Sequence, residues 1–213
     1  MKTLIINAHP DYQNETTFSA KLQQLFLQQY QLMCPIEEVE VLNLYQTEIP
    51  RIETTQLLKI WEKESLQQEM TSEEQKIAQR SKALLTQFKA HQRIVIVTPM
   101  HNFNITSRLK DYMDNILIPR HTFKYTATGS VGLMTNDYQA LLLQASGSVY
   151  TNADRYTALE FSYYYLKGMF EEIMGFDALH IVRAQGTATT DETTVMQQAA
   201  DELTTTLPAM YAI

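Results

Sequence analysis

Three short stretches of the chain carry residue types that do chemistry. The first, "NAHPDYQNETTFS", offers His9 and then hydroxyls at Thr16, Thr17 and Ser19. Hydroxyl donors joined to the unpaired N–H groups of a helix start make an anion site even without a lysine. Two readings stand: a phosphate is held there, or Thr16 or Thr17 caps the helix while His9 bonds to backbone. The second stretch, "PMHNFNITSRLKDYMDNI", crowds Met100, His101, Asn102 and Phe103 directly after the apolar run "RIVIV". One amide, two large apolar side chains and a row of free backbone N–H groups suit a flat heteroaromatic ring with polar edges. The competing reading is a hydrophobic staple in which Met100 and Phe103 simply pack. In the third, "SGSVYT", Gly147 stands between Ser146 and Ser148, with Tyr150 close behind. Glycine there permits a close approach to a ligand or a positive φ, or makes an ordinary turn.

Known phosphate motifs do not account for these stretches. The first lacks G-x-G-x-x-G, which removes a dinucleotide-binding fingerprint, and lacks the Gly-Lys-Ser/Thr of a P-loop. Composition narrows the field further. With 17 Lys plus Arg against 24 Asp plus Glu, the net charge of -7 argues against a nucleic-acid or anionic-membrane surface and for small-molecule chemistry. The single cysteine, Cys34, forms no internal disulfide and suits a reducing cytoplasm; in "LMCPIEE" it reads as a small apolar residue rather than a nucleophile. The opening apolar run covers only Leu4 to Ile6, far short of a signal-peptide core, and no stretch approaches a membrane span. The expected location is cytoplasmic.

The elements that must position the three stretches follow from hydrophobic period. Short apolar runs at 3–7, 39–44, 93–98, 140–145 and 178–184 suit strands buried on both faces of a parallel sheet. Phe18, Leu22, Leu25 and Phe26 stack along one face of a helix after the first run. Ile77, Ser81, Leu84, Leu85 and Phe88 repeat that spacing before the third, behind a capping box of Thr71 and Glu74. Tyr156 to Ile173 reads as one helix ended by Gly175, and a last helix follows Thr189 and Glu192. Residues 45–70 form an excursion with one short helix around Trp61. Pro99 ends its strand for want of an N–H, and Thr106 or Ser107 caps the next helix. Five strands alternating with helices define a single α/β domain over 1–213, a doubly wound five-stranded parallel sheet with helices on both faces. In such sheets ligands bind at the strands' carboxyl ends, where all three stretches lie.

Taken with their neighbours, these residues resemble a known group, the flavodoxin-like NAD(P)H:quinone oxidoreductases and FMN-dependent NADH azoreductases. "PMHNFNITSRLKDYMDNI" followed by "HTFKYTATGSVGLM" is similar to the azoreductase pattern of Pro-Met-Tyr-Asn-Phe, a helix with Leu-Lys-x-Tyr, then Thr-Phe-(Arg/Lys)-Tyr-Thr-x-x-Gly. "NAHPDYQNETTFS" resembles the Ala-His-Pro and Thr-Ser-Phe-Asn of the related quinone reductases, and "SGSVY" their Ser-Gly-Ser-Met-Tyr. The resemblance implies a bound FMN with its phosphate near His9, Thr17, Phe18 and Ser19. It places the ring against Met100, His101, Asn102 and Phe103, and its other edge against Ser146, Gly147 and Ser148. It further implies NADH or NADPH as donor, a quinone or azo compound as acceptor, and ping-pong hydride transfer in one site. Tyr150 is then a hydrogen-bond donor to the acceptor, set against a packed rim tyrosine. A homodimer with the cleft at its interface is implied too, which suits the cluster Tyr150, Tyr156, Tyr163, Tyr164 and Tyr165, set against a wholly intramolecular role for them, with Phe123 and Tyr125 as candidates for lining the cleft. Two departures alter polarity near the ring: His101 stands where azoreductases carry Tyr, and Ser-Gly-Ser replaces their Arg-Gly-Gly. Competing readings are a flavodoxin-type electron carrier, a regulatory flavoprotein subunit of a potassium-efflux system, and an α/β binding domain without flavin.

Overall fold

The computed structural model describes residues 2–35 and 38–211. In chain order its elements are β1 (Thr3–Asn7), α1 (Phe18–Met33), β2 (Val39–Asn43), α2 (Leu57–Ser65), α3 (Ser72–Lys89), β3 (Arg93–Pro99), α4 (Ser107–Ile116), β4 (Phe123–Thr126), β5 (Gly129–Gly132), β6 (Gln139–Ser146), α5 (Phe161–Lys167), β7 (Ala178–Gln185) and α6 (Glu192–Tyr211). β2, β1, β3, β6 and β7 form one parallel sheet in that spatial order. Each strand run expected from the sequence is found within one residue of its bounds.

Alternation along the strands explains why both faces are apolar. Leu4, Ile6, Ile94, Ile96 and Leu142 join one core with Phe88 of α3, Tyr112 of α4 and Phe170. Their sequence neighbours Ile5, Val95, Val97, Leu141 and Leu143 join the other with Leu22 and Phe26 of α1 and Leu203 and Leu207 of α6. Each fully buried aliphatic side chain contributes roughly 1.5–3 kcal/mol of transfer free energy. A slip of one residue would exchange the two sets of partners, so the register is firmly specified.

The chain leaves β1 for β2 on one side and returns for β3 on the other. That reversal opens a crevice at the carboxyl ends of β1 and β3. α1 enters it capped by Thr17, and α3 begins with the expected box, Thr71 Oγ1 accepting from Glu74 N (3.3 Å) and Glu74 Oε2 from Thr71 N (2.8 Å).

Three features differ from the sequence reading. β4 and β5 form a separate antiparallel hairpin. The continuous helix expected over Tyr156 to Ile173 is broken into a 3-10 turn, Thr157–Leu159, then α5, then a π-helical segment, Gly168–Met174. The break falls at Glu160 (φ -75°, ψ 54°), whose buried carboxylate accepts from Arg183 Nε (2.7 Å), Arg183 Nη2 (2.8 Å) and Gln144 Nε2 (3.0 Å). A buried charge must be paired, and this pairing overrides helical continuity. Gly175 does end the segment, at φ 83°. Thr106 occupies the position before α4 without capping it; its hydroxyl donates instead to Ala8 O (3.1 Å) and ties the loops after β1 and β3 together.

Candidate active site

The carboxyl ends of β1, β3, β6 and β7 border a shallow, open cavity of about 320 Å³. Its first wall is His9 with Thr17, Phe18 and Ser19; its second is Pro99, Met100 and His101; its third is Ala145, Ser146 and Gly147. Thr187, after β7, completes it.

At the first wall the capping reading and the anion reading turn out to be compatible. Thr17 Oγ1 accepts from Ala20 N (3.2 Å), which caps α1. The N–H groups of Phe18 and Ser19 still meet no acceptor among the described residues, and Ser19 Oγ, fully buried, has no hydrogen-bond partner. An orphaned buried hydroxyl beside two free N–H groups carries a desolvation cost that an anionic ligand removes. His9 bonds to backbone as expected: Asp11 N donates to its Nδ1 (3.0 Å), which leaves the proton of the neutral ring on Nε2 as a donor. Burial lowers its pKa from the ordinary histidine value, with His101 adding to the effect and Asp11 opposing it.

The second wall is tighter than the sequence suggests. Met100 N donates to Ala145 O (2.8 Å), and His101 and Asn104 exchange two backbone bonds of 3.0 and 2.9 Å. Asn102 and Phe103 sit between them at φ 47° and 66°, the pattern of a type I′ turn. The expected row of free N–H groups is therefore mostly consumed, because the turn closes on itself and Ile105 N is taken by Asn104 Oδ1 (2.8 Å). Met100 and His101 line the cavity; Asn102 and Phe103 do not.

At the third wall Ser146 Oγ donates to Ser148 O (3.0 Å) and is occupied within the loop. Ser148 itself does not line the cavity. Gly147 is not among the left-handed glycines, and a Cβ there would meet only Ala188 Cβ at an ordinary 3.7 Å. Neither positive φ nor crowding accounts for the glycine. The N–H groups of Gly147 and Ser148 find no acceptor among the described residues.

Tyr150, expected as a donor in the cleft, is instead packed. It is 5% exposed, its ring meets Tyr156 edge-on at 6.1 Å, and it contributes nothing to the cavity wall. Burial raises its hydroxyl pKa, with Tyr156 and Glu160 adding. Pro99, Ala145 and Thr187 are the lining residues that sequence reasoning missed. Thr187 follows the carboxyl end of the fifth strand, so the strand-end rule that flagged the other loops applied to it as well.

A larger groove of about 1000 Å³ runs along β2 and α3, past Lys2 and His91 at the opposite end of the sheet. Among the described residues, none of the buried polar atoms lacking partners lies in it, so size alone does not mark it as the site.

An open parallel sheet of this order, with a donor-rich cavity at its switch point, defines the flavodoxin-like class. The chain belongs to that family: the pattern described as flavodoxin-like fold matches residues 1–207. It is 57% identical over 188 residues to FMN-dependent NADH:quinone oxidoreductase 1 of Lactiplantibacillus plantarum, covering 88% of this chain and 87% of that protein. It is 51% identical over 203 residues to the Bacillus anthracis protein of the same description, covering 95% and 91%. Among solved structures, an FMN-dependent NADH-azoreductase from Bacillus anthracis str. Ames Ancestor in complex with FMN superposes with a TM-score of 0.92, at 50% identity and 96% coverage of both chains.

Proposed function

We propose that this chain is an FMN-dependent oxidoreductase that moves two electrons from NADH to a quinone, and to azo compounds, acting as a single-domain homodimer in the cytoplasm. The observation that carries the reading is the pair of unmet donor sets on the outer walls of the cavity. Ser19 Oγ with the Phe18 and Ser19 N–H groups forms one, and the Gly147 N–H, with that of Ser148 next to it in the chain, forms the other. Met100 and His101 supply the wall that lies between them in strand order. That arrangement fits a molecule with an anionic end and a flat ring with a polar edge, which FMN is.

FMN, when bound, supplies the redox chemistry, accepting a hydride from NADH and delivering two electrons to the acceptor. The chain's residues do the rest. The first turn of α1 holds the phosphate through charge-assisted bonds, with His9 Nε2–H a further donor. Met100 offers an apolar surface to the ring, and the free N–H groups of the β6 loop favour negative charge at its polar edge. Solvent supplies protons, so no side chain need act as a general acid.

Several large aromatics are left in water: Phe103 at 39% exposure, Phe161 at 48%, Tyr164 at 53% and Tyr125 at 72%. Burying them against a second copy supports the homodimer reading. Initial rates measured across NADH and quinone concentrations test the mechanism. Parallel double-reciprocal lines are expected of one shared site used in turn; intersecting lines contradict it.

A further inference from the structure

Four hydrogen bonds join the turn after β6 to the turn after β7. Ser146 O accepts from Thr187 N (3.1 Å) and from Thr187 Oγ1 (3.2 Å), Gly147 O from Ala188 N (3.2 Å), and Ser148 O from Gly186 N (3.1 Å). In a planar trans peptide the C=O and the following N–H point to opposite sides. Three consecutive carbonyls aimed at the β7 turn therefore send the N–H groups of Gly147, Ser148 and Val149 the other way. None of the three meets an acceptor among the described residues. A row of successive N–H groups of this kind favours negative charge. The β7 turn makes the arrangement possible by running at φ 73° through Gly186, where a Cβ would stand 3.0 Å from Val149 Cγ2.

We propose that Thr187 is a positioning residue for the redox reaction: its N–H and hydroxyl, both bonded to Ser146 O, hold the 146–148 turn so that its N–H row favours the reduced, more electron-rich form of the bound flavin. The inference rests on the FMN reading of the cavity. Thr187 acts through the Ser146 peptide, to which both its hydroxyl and its N–H are committed.

Reductive titration of the FMN-loaded protein against a reference dye tests this. Thr187→Val keeps the side chain's shape and the N–H bond and removes only the hydroxyl bond; Thr187→Ser restores it. The Val variant is expected to retain FMN while its preference for reduced over oxidised flavin falls about fivefold. At about 30 mV per tenfold for a two-electron couple, that is about 20 mV toward more negative potential. The Ser variant is expected to titrate like the parent. A Val variant with the parent potential overturns the proposal, and so does a Ser variant displaced as far as Val, which would point to the lost methyl's packing. Parent protein that takes up no FMN removes the reading of the cavity itself, a failure visible before any variant is made.

Discussion

Ser19 separates folding from binding at a single position. Its hydroxyl bonds to nothing among the described residues although it is buried, so the fold gains no hydrogen bond from it there. A hydrogen bond to a charged acceptor is worth roughly 1.5–3 kcal/mol. Ser19→Ala is accordingly expected to weaken FMN binding about tenfold or more, by fluorescence quenching titration, with the melting temperature unchanged or raised; equal affinity would contradict the phosphate assignment. Phe103 shows the opposite balance. A non-glycine residue at φ 66° costs about 1–2 kcal/mol, and this one is only partly buried. Phe103→Asn, a residue that tolerates this conformation, is expected to raise the melting temperature; an unchanged or lower value would contradict the strain. Tyr150→Phe is expected to leave turnover within twofold, since the ring packs on Tyr156 and is not among the residues lining the cavity; a large loss would return Tyr150 to the site.

Among the elements, those that pack on both faces were the ones written plainly in the sequence. A doubly buried strand has to be apolar throughout, so "TLIIN" and "RIVIVT" announce themselves. The hairpin β4–β5 does not, because "FKYTATGSVG" is mostly exposed and its Thr and Gly residues read as loop. The break at Glu160 was hidden for another reason: its cause, Arg183, lies 23 residues away, and local periodicity carries no trace of such a partner. Gly132 is a similar case, since a Cβ there would lie 2.4 Å from the Gly175 N that ends the π-helical segment. The helix α3 was legible through its capping box, which is also a charge staple to α2. Lys63 first, then the Thr71 N–H and Lys59, hold the Glu74 carboxylate down at about 2 from its usual 4.5. A folded-state value below the unfolded one means the contribution is complete above the unfolded value and is lost as pH falls toward about 2. Glu74→Gln is expected to destabilise the protein at pH 7, in denaturant titrations, by a gap that closes on acidification; a gap independent of pH would contradict the staple.

For the whole molecule, the parallel sheet decides where chemistry can happen. It gathers four strand ends around one cavity, which is why three loops far apart in sequence were recognisable as one site before their contacts were known. What remained hidden was how each loop spends its hydrogen bonds. Asn102, Phe103 and Ser148 have suitable side chains but do not line the cavity, while Thr187, marked only by its place after the β7 strand end, does. The same sheet protects its β7 edge, where Leu179 N donates to Glu171 Oε1 (2.8 Å) and Arg183 N to Glu202 Oε2 (3.0 Å). The proposed homodimer would therefore form through the exposed aromatics, and sedimentation at micromolar concentration is expected to give a dimer; a monomer would remove the shared-cleft reading. No helix among the described residues is long and apolar enough to cross a membrane. The most direct test of the central claim is the visible absorbance of the purified protein mixed with equimolar FMN, recorded before and after anaerobic NADH. The account predicts a yellow complex that survives gel filtration and is bleached by NADH alone, then recoloured by a quinone. FMN eluting apart from a colourless protein, or a yellow complex that NADH leaves untouched, would contradict it.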